Sequence, residues 1–219
     1  MNTIPNPMVA VTQSPPCYPA RPVNGGPLPK ALQKSGDWTL EGKYNGWRAW
    51  VHNPTGAMFN RKLEPLSITH EFKPSLAKLH SLPWEWTDVE ALERRHNIGC
   101  GSLILLDYLP ANPEEIYTAR KSFIHLCCVV VGGIEVHKEL NLPIANDRVY
   151  LPMTWRCLPE SSLQLWEILQ QCNTALGGGR NAIPFWEGIV AKRNDSIYPR
   201  QRRNAELDFP FWMKHRWAF

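Results

Sequence analysis

The spacing of apolar and polar positions changes several times along the chain, and each change marks an element. Trp38–Glu41 and Trp47–Val51 read as strands on either side of an Asn45-Gly46 turn. Asn53-Pro54-Thr55-Gly56 is a β-turn sequence that returns the chain through Ala57–Asn60. Phe72–Leu82 predicts a short helix. Trp84–Leu92 predicts a strand, on which a period of two puts Trp84, Trp86, Asp88 and Glu90 on one face. Leu103–Tyr108, bounded by Gly101 and Pro110, predicts a buried strand. In Asn112-Pro113-Glu114-Glu115 a cap residue, a proline at the first helical position and an acid three residues after the cap predict a helix start. Leu126–Val131 reads as a further strand. Ser161–Leu176 reads as a second helix, capped by Ser161 with Gln164 and stopped by Gly177-Gly178-Gly179. Trp186–Lys192 and Phe211–Trp217 predict the last strands. Strands and helices are interspersed without βαβ regularity or internal repeats, so the expected fold class is α+β with mixed or antiparallel sheets.

Composition sharpens this picture. A chain of 219 residues, 43% hydrophobic and with ten tryptophans, has material for one good core. Residues 1–30 hold eight of the 20 prolines and predict an extended lead-in without a core of its own, leaving residues 31–219 as one domain. No apolar run approaches the roughly 20 residues that span a bilayer, which argues against a membrane partner. The N-terminus lacks the basic start and apolar stretch of a secretion signal, so a cytoplasmic location is expected. Six cysteines without CxxC pairing read as reduced thiols. Between Lys192 and Arg216 seven basic residues face three acids, so the whole net charge of +4 falls within that stretch. A local basic strip of this kind, with Arg193, Arg200, Arg202 and Arg203 at its centre, suits a phosphate-rich partner.

The chemistry concentrates in Lys43-Tyr44-Asn45-Gly46-Trp47-Arg48. A lysine at the mouth of a glycine turn has a mobile stem, close backbone approach from Gly46 and a cation at Arg48 to hold an anion nearby. Lysine beside Asn-Gly is ordinarily a solvated turn residue, so what lies downstream decides its role. There, Arg61 follows a strand in FNRK, Asp88-Val89-Glu90 forms an acidic strand segment, and LILLDYL carries Asp107. Glu187-Gly188-Ile189-Val190-Ala191-Lys192 continues into RNDSIY, and Trp212-Met213-Lys214-His215-Arg216 closes the chain.

In this order the segments resemble the motifs of the covalent nucleotidyltransferases, and most of all the adenylation domain of ATP-dependent DNA ligases: KxDGxR, the arginine after a strand, DGE, the strand ending in aspartate, EGxxxK and WxKxK. Pro7-Met8-Val9-Ala10 is similar to the segment that opens such domains. Six motifs in order are far more specific than any one of them. The resemblance implies that Lys43 attacks the α-phosphate of ATP, forming a lysyl–AMP bond. A free lysine, with a pKa of roughly 10.4, must be made available by neighbouring positive charge. Lys214 and Arg216, two apart on one strand, together with Mg²⁺, would supply that charge and neutralise the phosphate. The resemblance further implies that Glu41 helps read the adenine amino group and Glu90 contacts the ribose. Glu90 and Glu187 would lie at the metal, Arg48 and Arg61 would grip ribose or a 5′-phosphate, and Lys192 would line the nucleotide pocket.

The implied protein is a monomeric polynucleotide ligase of bacterial or viral kind that seals 5′-phosphate/3′-OH breaks in nicked duplex DNA, RNA or a hybrid. Its alternatives are a GTP-dependent capping-type transferase and a non-catalytic nucleotide- or nucleic-acid-binding remnant. The OB-fold domain that follows the last motif in the family is expected to be absent. Some positions depart from the pattern. Asn45 stands where the family carries aspartate, Val89 replaces a small residue, and aliphatic residues precede Asp107 where an aromatic commonly stacks on the base. Lys192, five residues from Glu187, has the opposite strand parity, so the two share a pocket only if the strand bends between them.

Overall fold

The structure, a computed structural model, describes residues 13–26, 37–92, 99–136, 145–176, 184–202 and 208–217. Among these, eleven strands form two mixed sheets. The first sheet has the order β1 (Arg21–Asn24), β11 (Asp208–Arg216), β10 (Trp186–Arg193), β2 (Trp38–Tyr44) and β9 (Thr154–Arg156). The second runs β4 (Ala57–Asn60), β3 (Trp47–His52), β5 (Trp86–Leu92), β6 (Ser102–Tyr108), β8 (Val149–Leu151) and β7 (Ile134–Val136). Three α-helices accompany them: α1 (Lys73–Leu79), preceded by a 3₁₀ turn at Ser67–Phe72, α2 (Tyr117–Val131) and α3 (Pro159–Ala175). The architecture is α+β, as expected. No described helix is long and apolar enough to cross a membrane.

Period-two alternation divides the first sheet cleanly. Leu40, Tyr44, Ile189 and Ala191 pack with Leu165 and Leu169 of α3. Cross-strand pairing puts Glu41, Lys43, Gly188, Val190, Lys192, Trp212, Lys214 and Arg216 on the opposite face. Ala49, Val51, Val89, Ala91, Leu103 and Leu105 of the second sheet pack with α1 and α2 residues. A third cluster of Trp50, Trp86, Tyr117, Tyr198, Phe209 and Trp212 joins the two sheets.

Several expectations are corrected. Trp84 precedes β5 and packs with Ala49 and Val51, whereas Trp86 packs with Trp50 and Trp212, so the two do not share a face. Asn112 starts a turn rather than a helix: its side chain accepts from Glu114 N, and its carbonyl accepts from Glu115 N. The helix begins at Tyr117 and absorbs Leu126–Val131, which is therefore not a strand. Within that run Cys127 and Cys128 are buried while Leu126, Val129 and Val130 are exposed, a helical pattern that an apolar run conceals. Helix α3 starts at Pro159, with Leu158 as its cap residue, rather than at Ser161; the Gly177–Gly179 stop lies outside the described residues. Residues 17–26 are more than a lead-in. Cys17 and Ala20 are buried, and β1 pairs in parallel with β11, where Gly25 N donates to Lys214 O (2.9 Å) and His215 Nδ1 meets Gly26 O (2.9 Å).

Two bulges lie on the strands that bear the motif residues. In β10 the register passes from Trp186↔Tyr44 to Gly188↔Lys43, so Glu187 is the extra residue. In β6 it passes from Asp107↔Asp88 to Leu105↔Val89, so Leu106 is the extra residue. The first bulge depends on Gly188, which has φ +147°. A Cβ there would lie 2.0 Å from His215 O. Gly188→Ala is expected to destabilise the fold by about 3 kcal/mol, lowering the melting temperature by roughly 10 °C in a thermal denaturation experiment.

Candidate active site

Lys43 ends the polar face of β2, and across from it stands the bulge of β10. The bulge resolves the parity problem between Glu187 and Lys192, because the extra residue turns the Glu187 side chain onto the polar face. Lys43 Nζ donates to Glu187 Oε2, and Arg216 Nη2 reaches the same oxygen at 3.0 Å. Lys214 lies on β11, two residues before Arg216, and pairs with Val190 of β10. Burial, then the positive charges of Arg216 and Lys43, lower its pKa. Glu90 comes in from the second sheet. Its Oε1 accepts from Gly46 N at 3.0 Å, and burial raises its pKa against the pull of Lys43 and Arg48. Gly46 is needed for that approach, since a Cβ would lie 2.6 Å from Ala91 O. Lys43, Lys214, Arg216, Glu187 and Glu90, drawn from four strands, therefore meet at one place.

Glu187 also raises the pKa of Glu90, which marks the two carboxylates as neighbours. No group of three or more His, Cys, Asp or Glu side chains suited to a metal occurs among the described residues. A pair of carboxylates fits Mg²⁺, which commonly takes one or two carboxylates and completes its shell with water and nucleotide phosphates.

Other expected residues have different surroundings. Glu41 is buried, and both its oxygens are occupied. Oε1 meets Lys121 Nζ (2.8 Å) and the Tyr117 hydroxyl (2.6 Å), while Oε2 meets Lys192 Nζ (2.7 Å). Its carboxylate is thus committed to an internal ion cluster rather than offered to a base. Lys192 is equally enclosed, 4.4 Å from the Trp212 ring centroid and donating to Leu106 O at 3.3 Å. Arg48 donates through Nε and Nη2 to fully buried Asp88 (2.9 and 2.6 Å), and Asp88 also accepts from the Tyr198 hydroxyl (2.6 Å). Those two groups of Arg48 are not free to grip a phosphate. Asp107 forms a buried pair with Arg120.

The basic strip does not act as a unit. Arg193 lies on the opposite face of the first sheet from Lys43, bonded to Asp195 and 4.9 Å from the Phe211 ring centroid. Arg200 donates to Pro110 O. Arg202 is exposed, and Arg203 lies outside the described residues. Arg61 is exposed directly after β4, at the edge of the second sheet.

Lys121, Tyr117 and Asn173 belong to none of the motifs, and Tyr198 ends the RNDSIY segment without an assigned role, yet each holds a site residue or its strand. Tyr117 and Lys121 are four apart and share a helix face. That relation becomes legible only once the helix is placed at Tyr117.

No family model matches the sequence, and no curated protein matches it. Over 91% of this chain and 59% of the other, the fold superposes on the ligase domain of Mycobacterium tuberculosis LigD with a TM-score of 0.57 and 19% identity. It superposes on Chlorella virus DNA ligase-adenylate with a TM-score of 0.56 and 15% identity, over 92% of this chain and 68% of that one. For a structure described as Pmar-Lig the TM-score is 0.55 at 16% identity, over 92% and 47%. The chain therefore has the fold of the adenylation domain of ATP-dependent DNA ligases. It spans 47% and 59% of the length of the first two chains it matches.

The Glu41 cluster carries a pH signature. Burial alone would raise the carboxyl's pKa, but Lys121 and Lys192 bring it from 4.5 down to about 2. A group made more acidic by folding stabilises the protein fully above its ordinary pKa and loses that contribution as the pH falls toward the folded value. Glu41→Gln should cost about 3–5 kcal/mol near neutrality, because two buried ammonium groups lose their anion. Urea unfolding should show the gap to wild type closing between pH 4.5 and about 2.

Proposed function

We propose that the protein is a polynucleotide ligase that adenylates itself on Lys43 from ATP, passes AMP to a 5′-phosphate and joins it to a 3′-OH in a nicked duplex. The observation that carries this reading is the shared contact of Lys43 and Arg216 with Glu187, beside Lys214, within a ligase adenylation fold. In the first step the Lys43 amine bonds to the α-phosphorus and pyrophosphate leaves. The amine must be unprotonated to attack, and Glu187 is hydrogen-bonded to it and positioned to take a proton. Lys214 and Arg216 face the charge that develops on the phosphate oxygens. Glu90 and Glu187 would hold Mg²⁺, which when bound supplies further positive charge at the phosphates.

The engagement of Glu41 by Lys121, Lys192 and Tyr117 supports a reading in which another group recognises the base. A GTP-dependent transferase is therefore tested alongside, by offering labelled ATP and GTP separately. With Mg·ATP, intact-mass measurement should show one adenylate on the wild type and none on Lys43→Ala, which should still bind nicked duplex. Label from GTP alone, or an unchanged adduct on Lys43→Ala, overturns the reading. Nick-sealing assays on DNA, RNA and hybrid duplexes then define the strands joined.

The strip makes a separate prediction. Arg193→Ala should leave the salt dependence of duplex binding unchanged, since the guanidinium is bonded to Asp195 on the far face. Arg202→Ala should reduce the slope of log K against log salt by about one.

A further inference from the structure

Residues 184–186 lead into the bulged Glu187, and they are held from two sides. From the lysine turn, Asn45 N donates to Phe185 O (3.0 Å) and Asn45 Nδ2 to Pro184 O (3.0 Å). From α3, Asn173 Oδ1 accepts the N–H groups of Phe185 and Trp186 (3.0 Å each), while its Nδ2 donates to Trp186 O (2.8 Å). The indole of Trp186 is fully buried, 6.0 Å from the Tyr44 ring. On the far side of the bulge, Gly188 is fixed by its pairing with Lys43 and Arg216. Glu187 is thus a single residue suspended between two anchored segments. Where its carboxylate points is set by those anchors.

We infer that Asn45 and Asn173 are positioning residues, an amide clamp on 184–186 that brings the Glu187 carboxylate to the Lys43 amine. The inference rests on the lysine-adenylation reading for its catalytic consequence. It also accounts for the amide at position 45, where the resembling motif carries aspartate. The partner of the Asn45 side chain is a carbonyl oxygen, which needs a donor. An ionised aspartate offers only acceptors and would repel that oxygen across the turn. A protonated aspartic acid would regain one donor.

The test compares wild type with Asn45→Ala, Asn45→Asp and Asn173→Ala by two measurements. In protein without nucleotide, amide hydrogen exchange should speed up about tenfold at Phe185 and Trp186 in Asn173→Ala, and at residue 45 in both Asn45 variants, with the core elsewhere unchanged. The rate of self-adenylation, followed by intact mass, should fall about fivefold in Asn45→Ala, by a factor that does not vary with pH. Asn45→Asp should fall about fiftyfold at mildly alkaline pH. Its rate relative to wild type should recover as the pH is lowered and the carboxyl gains its proton.

Asn45→Asp matching wild type at every pH, or exchange at Phe185 and Trp186 unmoved in Asn173→Ala, overturns the clamp. So does exchange accelerated throughout the core, which would mean a general loss of stability. Should wild type form no adduct, the functional reading falls, while the exchange measurement still decides whether the clamp exists.

Discussion

An ionised carboxylate is costly inside a protein unless cations meet it, and in this fold such encounters tie together elements that are distant in sequence. Glu187 holds Lys43 and Arg216, Glu41 holds Lys192 and Lys121, and Asp88 holds Arg48. Every carboxylate among them is buried or largely so, and only Arg216 comes to its partner from an exposed position, so these contacts differ from a fully exposed surface pair of small value. Breaking any one of them leaves a charge without its counterpart in a region of low polarity. The same constraint explains why the cations gather. Lysines and arginines from β2, β3, β10 and β11 and from helix α2 come to these places because there they find anions that folding has already dehydrated.

Lys43 and Glu187 can meet because the backbone departs from regular strand geometry at one residue. A strictly alternating β10 could not present Lys192 and Glu187 to the same face. The extra residue changes the parity, and Gly188 accepts the conformation and the close contact with β11 that follow. At the other side of the site Gly46 lets the lysine turn touch β5, so that Glu90 bonds to its amide. Small residues here allow backbone to approach backbone, and large aromatic ones fill the interior behind.

Much of this was readable from sequence where local pattern and chemistry coincide. The lysine turn, the strand ending in Trp212–Arg216 and the acidic β5 segment all alternate, and each carries its charged residue at the position that the pattern requires. Reading failed where tertiary packing overrides local preference. Leu126–Val131 has the composition of a strand but continues a helix, because Ile124 and Cys128 find the core at helical spacing. The proline at 113 served a turn, so the helix carrying Tyr117 and Lys121 was misplaced, and with it the partners of Glu41. The opposite parity of Lys192 and Glu187 is legible in the sequence, but no spacing in a single strand foretells the bulge that brings both to one face. The engagement of Arg48 by Asp88, and of Arg193 by Asp195, depends on which neighbours the sheet order supplies.

The parallel pairing of β1 with β11 has a consequence for the strand that carries Lys214 and Arg216. An uncovered outermost strand offers its amides and carbonyls to any passing chain, a common route to sticking and misassembly. Here the early segment occupies that rim, and its backbone takes the Lys214 carbonyl through Gly25 while the His215 ring sits against it. A stretch rich in proline, a residue poorly suited to central strands, thereby works as a cover that terminates the sheet and keeps Lys214 and Arg216 of its neighbour in register.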